Sequence, residues 1–300
     1  MRQTEVVIVG GGPAGLSAAL VLGRCRRDVL LCDGGRYRNA EAVGVHGFLT
    51  RDGTPPAELR ALAHGELRRY PSVEVAAATI TDARRDDGGF VAVTATGSRI
   101  ACRALLLATG FADTVPPIEG ARALHGRLVL PCPYCDAWEL RDTALAAYAH
   151  PDEGGARFAL ALSQWSRDIL FCAAEPPAIG AGLTGRLRER GVQIEPRRPA
   201  RIEPAGDGVR LMFEQGEPAW RRALFYHLGG HPASDLARRL GARLDEHDGV
   251  DVDRKQAASI PGLFAAGDAT RDVLQAIVAA GEGSAAGVSI NEYLCALTAG

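Results

Sequence analysis

Three hundred residues, 47% apolar and 23% charged, are enough to bury a real core and exclude a disordered chain. A net charge of −2 with no long run of one sign offers nothing to nucleic acid or an anionic membrane. No run approaches the ~18 apolar residues of a membrane span, and a strand begins too early for a signal peptide, so a cytoplasmic protein is expected.

Residues 4–9 (TEVVIV) are a β-branched apolar run stopped by glycines, which predicts a buried strand. Gly10-Gly11-Gly12-Pro13-Ala14-Gly15 then opens a helical stretch at 16–25, and a strand at 28–32 ends in Asp33. That is a βαβ opening within about thirty residues. After a loop-rich stretch, a helix is expected around 56–70. Alternation near 73–82, 90–95 and 99–102 suggests a small antiparallel meander, and a separate strand at 104–108 runs into Thr109-Gly110. The texture changes after Val115-Pro116-Pro117. Strands at 143–149, 168–174 and 192–195 alternate with helices near 155–166 and 179–190, a second βαβ-type unit. A strand at 223–228 leads to Gly229-Gly230, a crossing back, and the chain ends in a strand at 263–267 and a helix at 274–297. The expected fold is α/β, with two Rossmann-like three-layer domains. Residues 1–115 and 232–300 form one nucleotide-binding domain, interrupted by a second at 116–231.

Gly10-x-Gly12-x-x-Gly15 has the context that this motif requires: it follows a strand, opens a helix and has an acid, Asp33, 23 positions after Gly10. Gly10 permits the tight turn, Gly12 lets the backbone approach a pyrophosphate, and Gly15 lets helix and strand pack closely. Pro13 and Ala14 complete the turn, and the helix N-terminus offers free N–H groups to phosphate. Asp33 would hold the adenosine ribose hydroxyls. Of seven cysteines, only Cys132 and Cys135 have an informative spacing; Cys25, Cys32, Cys102, Cys172 and Cys295 read as small buried hydrophobes. Cys132-Pro133-Tyr134-Cys135 permits a small disulfide loop, whereas zinc would need two further ligands at a similar spacing. Trp138 and Trp165 read as core aromatics, and His227 and His231 as structural or surface residues.

The strand ending Ala108-Thr109-Gly110 and the segment around Gly267-Asp268-Ala269 resemble the further fingerprints of two-dinucleotide-domain flavoproteins. That resemblance implies FAD, with Asp268 on the ribityl chain and a helix beginning at Gln275-Ala276 aimed at the flavin. Together with the central Cys132-x-x-Cys135-Asp136, the pattern resembles the low-molecular-weight thioredoxin reductases over essentially the whole chain. The resemblance implies a homodimer, a charge-transfer thiolate at Cys135 beside the flavin, an interchange thiol at Cys132 and an acid/base carboxylate at Asp136.

The second domain departs from that family. The strand at 145–149 is followed by His150-Pro151-Asp152-Glu153-Gly154-Gly155, with Pro151 in the tight turn and no GxGxxG or GxGxxA. The next strand ends Ala174-Glu175-Pro176-Pro177, without an Arg for a 2′-phosphate, and Asp152, Glu153 and Glu175 would repel one. No NADPH site is expected. Such a chain, bearing CPYC, resembles the dithiol oxidases that close disulfides in gliotoxin-, holomycin- and romidepsin-type natural products and pass electrons from FAD to dioxygen. Arg38-Asn39, the run His46 to Gly53, Trp165 to Asp168, and Gly267 to Asp272 share that likeness. Many members carry His after the second Cys; Asp136 stands there instead, leaving the general base open between Asp136 and His46, which is also a candidate flavin neighbour. Three other readings stay open: a disulfide reductase driven by ferredoxin, one driven by NADPH, and a flavin-bound redox sensor without turnover.

Overall fold

The computed structural model describes residues 1–173, 175, 177–270 and 273–299; Ala174, Pro176, Arg271 and Asp272, named above, lie outside the described residues. In chain order the first elements are β1 (Arg2–Val9), α1 (Pro13–Arg24), β2 (Val29–Cys32), α2 (Pro56–Leu67), β3 (Val73–Ala76), β4 (Ile80–Asp86), β5 (Gly89–Thr94), β6 (Arg99–Leu107) and β7 (Phe111–Asp113). There follow α3 (Ala121–Leu124), β8 (Val129–Leu130), α4 (Pro133–Asp136), β9 (Leu145–Ala149), α5 (Glu153–Leu162), β10 (Ile169–Ala173), α6 (Ala181–Glu189) and β11 (Val192–Glu195). The last are β12 (Pro199–Ala205), β13 (Gly208–Phe213), β14 (Ala219–Arg221), β15 (Ala223–His227), β16 (Gly230–Pro232), α7 (Leu236–Leu240), β17 (Leu263–Ala265) and α8 (Ala276–Ala299). The chain divides into two compact units, Met1–Ala40 with Gly47–Ala112 and His231–Gly300, and Glu41–His46 with Asp113–Gly230. It passes between them through β7 and β16, which pair as a two-stranded ribbon.

In the first unit β3, β2, β1 and β6 run parallel, β17 joins β6, and β5 and β4 extend the sheet antiparallel. The alternation along β1 builds the layers: Val6 and Ile8 pack with Ala18 and Leu22 of α1 and Ile290 of α8, while Val7 and Val9 face Ile80, Phe90 and Leu236. Residues 99–107 form one strand, not two. β6 pairs with β5 through its first half and with β17 through its second, so the apparent break at Arg103 is a change of partner. Likewise 73–76 is not part of a meander but a parallel partner of β2.

The second unit has an all-parallel sheet in the order β11-β10-β9-β15-β8, and a three-stranded antiparallel sheet, β12-β13-β14. The smaller sheet was not expected from the sequence: Pro199 and Pro204 depress the strand signal of β12. Glu41–His46 also departs from the expected boundaries, which gave all of 1–115 to the first domain. Glu41 pairs with Arg127 at 3.3 Å and His46 with Glu139 at 3.5 Å, so both ends of the segment are tied to the second unit. Among the described residues, no helix is long and apolar enough to cross a membrane.

Candidate active site

The first βα turn is shaped for close approach. Gly10 has φ +114°, and a Cβ there would lie 2.2 Å from the Ala108 carbonyl oxygen; one on Gly15 would lie 2.0 Å from the Gly10 carbonyl. Gly11 is required as well, because its Cβ would meet the Asp33 carboxylate at 2.2 Å. Gly12 has nothing of the protein within 4 Å, and it caps α1 without a side-chain hydrogen bond, with Pro13 in the first turn and no acid. The first N–H groups of α1 therefore have no side-chain acceptor from the cap, which suits an anionic pyrophosphate.

Asp33 follows β2 and accepts from the Gly35 N–H at 2.9 Å and from the Tyr37 hydroxyl. Burial, and then the hydrogen bond to Asp33, push the Tyr37 phenol up to about 12, so it stays a donor. Arg38 donates to Asp268 at 3.1 Å and lies over the Phe111 ring at 5.6 Å. Asn39 is half-buried beside it in sequence. Thr109-Gly110 continue β6, with Gly110 at φ +76°, and Gly267 takes φ +72° before Asp268. The Gln275 carbonyl accepts from the Ala279 N–H at 2.9 Å, which puts Gln275 and Ala276 at the start of α8. An uncapped helix start, a ribose-type carboxylate and an Arg-held second carboxylate, all in one unit, fit FAD.

The redox pair lies in the second unit. Cys132 and Cys135 are joined by a disulfide with Cα atoms 5.3 Å apart. Cys132 takes extended φ −132° at the cap of the single turn α4, and its sulfur accepts the Cys135 N–H at 3.1 Å. In the reduced pair that N–H would favour the Cys132 thiolate and make it the better leaving group. Half-buried Asp136 closes the turn; burial pushes its carboxyl up to about 6, with the His46 charge opposing and that of Glu139 adding. His46 Nδ1 lies 3.5 Å from Glu139 Oε1. The fold thus groups His46 with Asp136 and Glu139, within the unit that carries the disulfide. Glu139 carried no sequence signal, because its partner is 93 positions away.

The second unit repeats the βα turn with a different outcome. His150, Asp152 and Gly155 fall where Gly10, Gly12 and Gly15 stand in the first. The close-packing glycine is kept, since a Cβ on Gly155 would lie 2.1 Å from the His150 carbonyl. The approach glycine is replaced by Asp152, whose Oδ1 accepts the Gly155 N–H at 2.9 Å and caps α5. Glu153 adds a second carboxylate to the first turn. One turn is left free of a side-chain cap, while the other is capped by its own carboxylate.

The remaining expectations sort by exposure. Trp138 is 63% exposed, not core, and Arg141 lies over its ring at 4.1 Å. Trp165 is half-buried, edge-on to Tyr134. His227 and His231 are exposed, and His227 stacks on Phe158. Cys32, Cys102 and Cys172 are buried, but Cys25 and Cys295 are exposed, one at the C-cap of α1 and the other on the outer face of α8 near Arg27.

The pyridine nucleotide-disulphide oxidoreductase pattern matches residues 4–150 and 165–283. The chain belongs to that family. Among its relatives in the pyridine nucleotide-disulphide oxidoreductase family, thioredoxin reductase tcpT of Claviceps purpurea is 30% identical over 279 residues, covering 88% of this chain and 86% of that protein. An oxidoreductase structure from Agrobacterium tumefaciens superposes with a TM-score of 0.90 at 32% identity, covering 98% of this chain and 99% of its own. The crystal structure of HlmI gives 0.91 at 29% identity, covering 99% and 94%. The protein is accordingly an FAD-dependent disulfide oxidoreductase of thioredoxin reductase-like fold.

Proposed function

We propose that this protein oxidises a small-molecule dithiol to its cyclic disulfide, with dioxygen as terminal acceptor and hydrogen peroxide as product. The observation that carries this reading is the capped turn at Asp152. A nicotinamide dinucleotide would need the N–H that Asp152 holds, and its phosphates would face Asp152 and Glu153 together. Electrons then enter from the thiol side. Bound FAD supplies the two-electron acceptor that restores the cysteine disulfide and passes the pair to dioxygen.

The chain's own residues handle sulfur and protons. A substrate thiolate attacks Cys132, the Cys132–Cys135 bond breaks, and Cys135 leaves as thiolate. The second substrate thiolate attacks the substrate sulfur of the mixed disulfide and expels Cys132, whose charge the Cys135 N–H receives. Exposed Tyr134 and Trp138 flank the pair with apolar surface suited to an organic dithiol.

Anaerobic stopped-flow mixing with NADPH and, separately, with dithiothreitol tests the reading. Dithiothreitol should bleach the flavin and NADPH should not; air should then restore the oxidised spectrum with one peroxide per dithiol. Rapid bleaching by NADPH would overturn the proposal in favour of an NADPH-driven reductase, and failure to reoxidise in air would overturn the oxidase half.

Asp136→Asn tests the proton acceptor. A carboxylate titrating at about 6 is about ten to one ionised at pH 7, and it is a far better base toward a thiol near ~8.5 than an ordinary aspartate. In the native protein kcat/KM for dithiol should rise with pH through about 6. The variant should lose that limb and fall roughly 10²-fold at pH 7. Stability should move the other way. The folded-state pKa is raised, so stability is full below about pH 4 and is lost as pH rises through about 6. Asp136→Asn should therefore be about 1–2 kcal/mol more stable at pH 7–8 by urea denaturation.

A further inference from the structure

The Asp33 carboxylate, just past the end of β2, is constrained by the protein's own groups on three sides. Its backbone N–H donates to the Ala76 carbonyl at 2.8 Å, which fixes where the side chain starts. Oδ1 accepts the Gly35 N–H at 2.9 Å, and Oδ2 accepts the Tyr37 hydroxyl at 2.5 Å. The third side is Gly11: a Cβ there would lie 2.2 Å from Oδ2, so the carboxylate rests against the backbone of the glycine turn. Tyr37 is held in its turn. Arg60 of α2 lies over its ring at 3.8 Å, a cation–π contact that seats the phenol. Because burial and the Asp33 hydrogen bond keep that phenol protonated at neutral pH, its hydroxyl has a hydrogen to donate.

A carboxylate offers about four acceptor positions, two on each oxygen. Gly35 takes one on Oδ1 and Tyr37 takes one on Oδ2. One is left on each oxygen, a fork that matches two neighbouring hydroxyls on a ribose ring. The torsion that turns a carboxylate about its Cβ–Cγ bond is soft, so the fork keeps its direction only while both oxygens are held. We infer that Tyr37, seated by Arg60, is a positioning residue that aims the Asp33 carboxylate at the adenosine ribose of FAD. Tyr37 then contributes to cofactor affinity only through the ribose hydroxyls. This role belongs to cofactor retention and is independent of the dithiol reading above.

The test is a cycle between protein and cofactor. Full-length protein freed of flavin is titrated by calorimetry with FAD and with its 2′,3′-dideoxyadenosine analogue. Tyr37→Phe should bind FAD roughly 10-fold more weakly than the native protein does. It should bind the dideoxy analogue within about twofold of native, because the hydroxyls through which Tyr37 acts are gone. Arg60→Gln, which keeps the phenol but not the cation over it, should show a smaller loss with the same restriction to FAD. It applies the same test should Tyr37→Phe not fold. Unchanged FAD affinity in Tyr37→Phe would overturn the proposal. So would an equal loss for FAD and for the analogue, since a phenol that merely supports the loop weakens both alike.

Discussion

Cys132→Ser and Cys135→Ser should each lower dithiol turnover by roughly 10³-fold or more, while the protein stays folded and yellow. No other thiol can take over. Cys32, Cys102 and Cys172 are buried, which pushes them up to about 11, about 12 and about 12, so none offers a thiolate at neutral pH. Cys25 and Cys295 are exposed but single. The fold should tolerate both changes, since the pair closes a very short loop and neither residue belongs to the buried core. Anaerobic titration with dithiothreitol is the check. Flavin bleaching at the wild-type rate in either variant would mean that electrons enter elsewhere.

Gly10 and Gly12, on one turn, should separate folding from flavin binding. Gly10→Ala combines a left-handed φ of +114° with a Cβ placed 2.2 Å from the backbone oxygen of Ala108. Neither can relax without moving β1 or β6, so a loss of about 3 kcal/mol or more and a colourless, poorly folded protein are expected. Gly12→Ala meets nothing of the protein within 4 Å, and its φ of −79° is ordinary. The apoprotein should unfold within about 0.5 kcal/mol of wild type. Its methyl group, however, would stand where the pyrophosphate must approach α1, so flavin content and the stability that bound flavin adds should both be lost. Flavin absorbance after purification, with urea denaturation of the apoproteins, distinguishes the two. A yellow Gly12→Ala protein would place the phosphates somewhere other than this turn.

What was legible in the chain was whatever is encoded locally. Gly10, Gly12 and Gly15 sit on one turn and Asp33 ends the next strand, so spacing alone carried the dinucleotide reading. The same is true of Cys132 and Cys135, three positions apart. Other features depend on contacts between distant segments. Gly11 looks like a spacer until the Asp33 carboxylate is seen to pack on it. His46 could be named as a base candidate, but its company could not, because Glu139 reaches it only after Glu41–His46 joins the second unit. Asp152 read as a repulsive charge; that it also takes the Gly155 N–H emerges only from the helix geometry. A strand that changes partner midway, as β6 does, has no sequence mark of its own.

The packing of α1 against α8 has a consequence for the order in which the protein is made. A Cβ on Gly283 would lie 2.0 Å from the Ala14 carbonyl, and one on Gly287 would lie 2.9 Å from Val21, so the two helices meet backbone to backbone. β17 likewise joins the sheet along the second half of β6. On the ribosome, residues 1–112 must therefore wait with one face of α1 and the second half of β6 uncovered until the final forty residues emerge. Nearly all of the second unit, Asp113–Gly230, is contiguous and can close in the meantime. The unit that holds the cysteines is positioned to fold before the unit that holds the flavin, leaving a thiol pair exposed to the cell's own redox buffer ahead of its electron acceptor.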